Sequence, residues 1–412
     1  MKFFYGWVIV GLALTALLVT NGLTIGGLSV FDEVLIKEFG WTRGSLKFRD
    51  LLLFAGAGLL GPLAGALADR FGVRPLMLFG SALMAGGFVL YSRIQSAADM
   101  YGIHLVFAAC LASCGLAINV LLVSRWFVAK RGTAIGLTLI GTSLGGILMP
   151  PVNTALIARL GWRGAFLAVS VLPALLFVVV AALVRESPAS IGQAPLGSGA
   201  PGGGPASPPP GVDFRPALRT RSFWVLALSA MMTFYCILGV SAHLFLHLRG
   251  QGVAPLAASG GISALFLMGG AGKFLFGWLG DVMDRKRVFV MNLGVMFAGS
   301  LCLASMSKAA FWPFLVLFGV GWGGLYTMLQ LLTVDCFGLK AAGKILGTIT
   351  LLDAIGGGLG PWVTGVLYDR TGSYAVAFAA VSVLIFLALL AGATLEVPRR
   401  DVSLPTLSPS RP

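Results

Sequence analysis

Charge is scarce in this chain: only 11% of its 412 residues are Asp, Glu, Lys or Arg, against about a quarter in a typical soluble domain. With 57% apolar residues it cannot cover a soluble surface, and it reads as an all-α membrane protein that crosses the bilayer many times. Histidine and cysteine are few as well, three and five residues. Cys110, Cys114, Cys236, Cys302 and Cys336 have no metal-ligand spacing with histidine, and four of them lie in or beside apolar runs, so free buried thiols are expected rather than disulfides or a zinc site. No nucleophile stands beside a base, and no metal or cofactor motif is present, which argues against an enzyme; no appended soluble domain is apparent that would mark a sensor. Acidic residues are outnumbered, 15 against 29 Lys and Arg. Such an excess can signal nucleic acid, but here it is spread over the short connections between apolar runs, where topology explains it.

At about 20 residues per crossing, the sequence predicts twelve spans, near 6–31, 46–68, 75–93, 99–124, 132–157, 164–184, 222–246, 257–280, 287–306, 311–334, 342–367 and 373–394. Lys2 before the first run resembles a secretory signal, but that run is too long and more follow, so an uncleaved span is expected. Residues 186–221 are rich in Pro, Gly and Ser and read as a flexible linker between a bundle at 1–185 and another at 222–397, with a tail at 398–412. The connections on the N-terminal side carry Arg70, Arg74, Arg125, Lys130, Arg131, Arg285, Lys286 and Arg287, whereas Asp32, Glu33, Glu38, Asp50, Asp99 and Asp369 dilute the positive charge on the other. Both termini are therefore expected in the cytoplasm of a bacterial cell, with the chain in its inner membrane.

The two halves look alike. GALADRFGVRP (65–75) follows span 2 and GWLGDVMDRKR (277–287) follows span 8, each a Gly-x-x-x-Asp before a basic turn. Two six-span repeats joined by a linker are the layout of an alternating-access transporter. The turn Asp69, Arg70, Gly72 and Arg74 resembles the loop signature of the major facilitator superfamily over essentially the whole chain; Asp284 takes the glycine's place in the second copy. YGWVIV (5–10), FGWTRG (39–44), RGTAIGLTLIGTSLGGILMPP (131–151), GWRGAF (161–166) and GPWVTGVLYDRTGSYAVAF (360–378) together resemble its bacterial monocarboxylate-porter and oxalate/formate-antiporter branch. That resemblance implies two six-helix bundles around a midplane site for a small carboxylate, often moved with a proton.

Lys273, in LFLMGGAGKFLFGWLGD (265–281), lies roughly 7 Å to the cytoplasmic side of the centre of span 8. Its ammonium either attracts a substrate carboxylate or forms a structural pair with an acid of another helix. The resemblance implies a basic anion-binding residue here, usually arginine; lysine keeps the charge without the planar fork. Asp353 in span 11 is close to the midplane, and either takes and releases a proton or pairs statically with Lys273. The dicarboxylate antiporters that the chain resembles carry a base in helix 11, so an acid there favours a monoanion.

In span 7, His243 lies on one drifting face with Tyr235, Gly239 and His247; it either aids protonation and substrate contact or is bonded to backbone. His243 and His247 lack a third ligand, so no metal is expected. Asn21, Asn119, Tyr326 and Gln330 are polar at membrane depth and suit either a substrate hydroxyl or carboxylate or a helix–helix bridge, with Asn119 and Tyr326 the preferred pair because the resemblance puts helices 4 and 10 around the cavity. The glycines 141, 145, 146, 356, 357, 358 and 360 lie inside spans 5 and 11 and mark packing and bending sites. The resemblance makes Asp69 face the positive end of helix 11 and a base such as Arg125, with Arg70 and Arg74 in the same gate and Asp281 its weaker counterpart. The sum is a monomeric proton-coupled symporter of a small, lactate-like monocarboxylate with no cofactor, a carboxylate exchanger or drug/proton antiporter being the alternatives.

Overall fold

The computed structural model describes residues 4–197, 211–338 and 340–397, and among these it is helical throughout apart from connections and two isolated bridges. In hydrocarbon a backbone must satisfy its own polar groups, so long apolar runs become helices. The long helices are α1 (Gly6–Asn21), α2 (Arg43–Phe71), α3 (Val73–Tyr91) and α4, which breaks at Gly115 into Ala97–Cys114 and Leu116–Trp126. A run of 53 residues, Arg131–Leu183, turns at Gly161 (φ 68°, ψ 170°) and so supplies both α5 and α6. After the linker come α7 (Arg221–Gly250), α8 (Pro255–Val282), α9 (Arg285–Ala304), α10 (Phe311–Phe337), α11 (Ala342–Thr371) and α12 (Ala375–Ala393).

Among the described residues, ten helical stretches are long and apolar enough to cross a membrane, one of them the 53-residue run that makes two crossings. Helix α11 is missing from those ten because Asp353 and a dense set of glycines lower its apolar character, yet it is sandwiched between α2 and α7. The first expected span is not one helix. After Asn21 the chain makes a π-helical turn (Gly22–Gly26), a 3-10 turn (Leu28–Phe31) and a short helix (Asp32–Phe39). The cause is close approach: a Cβ on Gly22 would stand 2.7 Å from the Gly145 Cα of α5, one on Gly26 would stand 2.7 Å from the Gly146 Cα, and Asn153 Nδ2 donates to Gly27 O at 2.9 Å. Part of the expected linker is ordered, with a turn at Pro188–Ile191 and a helical turn at Phe214–Ala217, while residues 198–210 and the tail 398–412 lie outside the described residues.

Within the first half α1 packs on α5, α2 on α4 and α3 on the 53-residue run; within the second α7 packs on α11, α8 on α10 and α9 on α12. The halves meet through α2 against α11 and α5 against α8. Call the face holding residues 4 and 397 the terminal face and the other the distal face. Among the described residues, every hydrogen bond and ion pair between the helices of the two halves lies on the distal side or at mid-depth. Towards the terminal face, Cβ atoms added to Gly61 and Gly65 of α2, Gly132 and Gly136 of α5, or Gly343 and Gly347 of α11 would meet nothing within 4 Å. The structure is closed on the distal side and open on the terminal side.

Where α8 crosses α10 the backbones touch: a Cβ on Gly323 would fall 1.8 Å from Gly269 O, and one on Gly272 would fall 2.1 Å from Val320 O. Overpacking of such a contact costs about 1–3 kcal/mol. Gly323→Val should therefore lower the melting temperature of the purified protein clearly, whereas Gly61→Ala, with open space around it, should leave it nearly unchanged. Equal melting temperatures for the two variants would contradict this reading of the crossing.

Candidate functional site

Lys273 reaches from α8 across to α5, where its Nζ donates to Thr142 Oγ1 at 3.1 Å and Ser143 Oγ at 3.0 Å. It can extend there because Gly269 and Gly272 bring α8 and α10 together behind it, and because Gly270 faces α5, where a Cβ added to it would stand 3.7 Å from Ser143. Neither Lys273 nor Asp353 takes part in an ion pair among the described residues, so the static pair between them, one of the two sequence readings, is not formed. Asp353 is buried on α11 within electrostatic reach of Tyr326 of α10, and Gln330 lies one turn on, beside Tyr326. Tyr326 is half-buried and Gln330 exposed. The structure thus groups Tyr326, Gln330 and Asp353, and sets Lys273 on the neighbouring helix with only neutral hydroxyls around its charge.

Other expected site residues have different surroundings. Asn119 is fully buried, and its Nδ2 donates at 2.8 Å to both Cys114 O and Gly115 O. It bridges the break in α4 at Gly115 with its Nδ2, while its buried Oδ1 has no hydrogen-bond partner among the described residues. His243 is also fully buried, with Nε2 2.8 Å from Pro361 O and Nδ1 3.0 Å from the Tyr374 hydroxyl. Both ring nitrogens are occupied, so it ties α7 to α11 and the start of α12, which is the backbone-bonded reading and not the substrate-contact one. Asn21 is half-buried where α1 passes into its π-helical turn, its Nδ2 3.3 Å from Thr20 Oγ1. No group of three or more candidate metal ligands occurs among the described residues.

The gate residues of the terminal face are disengaged in this state. Asp69, Arg70 and Asp281 are exposed. Arg125 pairs at 2.9 Å with Glu186 and not with Asp69, and Glu186 also accepts from the backbone N–H groups of Val73 (3.0 Å) and Arg74 (2.6 Å). The Arg74 guanidinium donates to Ala181 O. Glu186 is drawn there because the first turn of α3 offers free N–H groups, and an acid at a helix start is favourable.

Three features escaped the sequence reading. The distal face is locked by Asp369 at the end of α11, whose carboxylate accepts from Arg43 N at 2.9 Å and Gly44 N at 2.7 Å, the free donors at the start of α2. The Arg43 guanidinium stacks 3.5 Å over the Tyr368 ring and donates to the Tyr374 hydroxyl, while Arg249 grips Glu33 with two bonds of 2.6 and 3.0 Å. The signal was present: Asp-Arg-Thr-Gly at 369–372 repeats the Asp-Arg-Phe-Gly of 69–72. Second, Asp32 and Asp50, expected among the charges of the outer side, are buried together with Lys47 and Arg49. Their signal was weaker, an acid three residues after Lys47 in a segment rich in loop residues. Third, Thr142 and Ser143 are the partners of Lys273, visible beforehand only as hydroxyls among the glycines of span 5.

The Major Facilitator Superfamily model matches residues 12–361, and again 262–411. Monocarboxylate transporter 13 of Bos taurus is 31% identical over 332 residues, which cover 77% of this chain and 72% of the relative. The oxalate:formate antiporter of Oxalobacter formigenes is 26% identical, covering 79% of this chain and 78% of the relative. Among solved structures, a bacterial homologue of the human lysosomal transporter Spinster, in an inward-facing and unoccupied conformation, superposes with a TM-score of 0.75 at 18% identity over 95% of this chain and 98% of that one.

Hydrogen bonds from N–H donors to a carboxylate are each worth about 1.5–3 kcal/mol. Asp369→Ala should therefore raise the distal-open population by at least about tenfold. Faster maleimide labelling of Ser241→Cys from the distal face, in a background cleared of native cysteines, reports the shift; an unchanged rate would show that Asp369 does not hold the gate.

Proposed function

We propose a function from one premise: the chain belongs to the Major Facilitator Superfamily. It is a transporter and not an enzyme. In our reading it carries a small, lactate-like monocarboxylate together with a proton by alternating access. The observation that carries this is the Lys273 ammonium, at membrane depth between the halves with two neutral hydroxyls for partners and no carboxylate. A cation in that position is costly unless an anion visits it. A substrate carboxylate on Lys273 neutralises the charge, and Thr142 and Ser143 add hydrogen bonds from the opposite half, so the bound anion draws both halves together.

Asp353 supplies the proton's place. It is a buried acid with no cation paired to it, so it is suited to cross the membrane as the neutral acid, and one anion on Lys273 with one proton on Asp353 leaves the site uncharged apart from the compensated pair. Tyr326 and Gln330 orient the substrate from α10, and Asn21 is a further candidate at the other wall of the cavity. The printed names of the relatives, monocarboxylate transporters and an oxalate:formate antiporter, support a small carboxylate. The antiporter relative keeps exchange as the second reading, although an acid rather than a base in α11 suits a monoanion better than a dianion.

In this reading the basic connections favour a cytoplasmic terminal face, the membrane is the inner membrane of a bacterium, and 1–185 and 222–397 are the two bundles of a monomer. When that face closes, Asp69 moves to the N-terminus of α11, and Arg70, Arg74, Arg125 and Asp281 rearrange around it.

Two substitutions test the scheme in proteoliposomes given labelled lactate, acetate, pyruvate or oxalate with and without an inward proton gradient. Lys273→Gln should reduce uptake by tenfold or more, on the order of the loss of one buried charge-assisted contact. Asp353→Asn should abolish uphill accumulation while exchange persists. Uptake of none of the four acids by the parent, or parental uptake by Lys273→Gln, refutes the proposal.

A further inference from the structure

The charges buried near the distal face have no part in that cycle. Asp32, Lys47, Arg49 and Asp50 are 0, 1, 0 and 7% exposed. Asp32 is held tightly, 2.5 Å from Lys47 Nζ and in direct contact with the Arg49 guanidinium, which also donates to the Tyr91 hydroxyl at 3.1 Å. Asp50 is held loosely: one oxygen lies 3.5 Å from Lys47 Nζ, the other 3.5 Å from Arg49 Nε, and no hydrogen bond to its side chain forms among the described residues. Arg49 Nε has no hydrogen-bond acceptor although the residue is fully buried. Beside them is a cavity of about 20 Å³, lined by Thr24, Lys47, Arg49 and Asp50 from the first half and by Ser241 and Pro361 from the second. It has room for about one water molecule.

A static lock would need one acid and one base. Four charges are expensive to bury and are weak evidence for stability as such. The arrangement instead leaves an unpaired guanidinium N–H and a slack carboxylate at a cavity that straddles the two moving halves.

Resting on the reading that the chain carries a small carboxylate with a proton, we propose that Asp32, Lys47, Arg49 and Asp50 form a second carboxylate-anion site, reached from the distal face, in which Asp50 takes up a proton when the anion binds. The charges of the four side chains cancel. An anion added between Lys47 and Arg49 makes the buried cluster negative, and a proton moving from the distal water onto an Asp50 oxygen restores neutrality; one O–H bond forms and the anion keeps all of its own bonds. Asp32 keeps its two short contacts to Lys47 and Arg49 throughout. Of the other titratable groups around the cluster, Tyr91 of α3 bonds Arg49 and His243 of α7 spends both nitrogens on Pro361 and Tyr374, while His104 of α4 is held to Met100 O at 2.9 Å through Nδ1, stacks edge-on to Tyr91 and leaves Nε2 without a partner among the described residues; Asp50 is set apart from His104 by lying 3.5 Å from both cations. In the distal-closed state the cavity is too small for a carboxylate, so Ser241 and Pro361 must withdraw with their half before the anion enters. Closure then expels it towards Lys273.

Counterflow exchange of labelled lactate in proteoliposomes, in an Asp353→Asn background, separates this proton from the one on Asp353. The distal-side KM should still rise with distal pH, by up to about tenfold per pH unit, the limit for one linked proton. Adding Asp50→Asn should flatten that dependence, and Asp50→Glu in the same background should retain it. Loss of the dependence in Asp353→Asn alone, its persistence after Asp50→Asn, or failure of Asp50→Glu to exchange where Asp353→Asn does, overturns the proposal. Absence of lactate exchange by the parent overturns the transport reading instead, and the second site with it.

Discussion

A charge taken to bilayer depth must be neutralised within a few ångströms or be visited by something that neutralises it. Much of what is unusual in this molecule follows from that. Where neutralisation is permanent, as between Asp32 and its two cations, the side chains are packed to zero exposure and α2 is fastened to the short helix that follows α1. Where no ion pair forms among the described residues, as at Lys273 and Asp353, glycines let the neighbouring helices pack closely around the residue, and at Lys273 two hydroxyls take the place of a counterion. The difference divides these charges into those that hold helices together and those left available to a ligand.

Helix number and order were legible because hydrocarbon leaves the backbone little choice: any run of about 20 apolar residues becomes a helix. Helix α11 was legible as the run 342–367, although Asp353 and its glycines weaken its apolar signature. The π-helical turn after Asn21 was not legible, because its cause is α5, more than a hundred residues away, pressing Gly145 and Gly146 against Gly22 and Gly26. Local pattern carries no record of such a partner.

At the site the same division holds. Lys273 stood out because a lone cation in an apolar run is conspicuous whatever lies near it. Asn119 and His243 stood out for the same reason, yet Asn119 Nδ2 and His243 Nε2 bond backbone carbonyls, of Cys114 and Gly115 and of Pro361, partners invisible in a search for side chains. Asp32 and Asp50 failed to stand out because they share a stretch with Glu33, Lys37 and Glu38 that reads as a solvated connection; only the fold shows that two of these acids turn inward.

The repeated Asp-Arg-x-Gly turns explain how such a molecule can have two states of similar stability. One closes α2 at the terminal face, the other closes α11 at the distal face, and α2 and α11 lie against each other. Each helix ends in an acid, and free N–H groups and the dipole at the start of the other helix favour a negative charge there. In this structure the Asp369 carboxylate sits on the N-terminus of α2 while Asp69 is exposed to solvent. In the proposed cycle, tilting the halves to let Asp69 reach α11 pulls α2 away from Asp369, so that one cap replaces a chemically similar one and the proposed anion at Lys273 tips the balance.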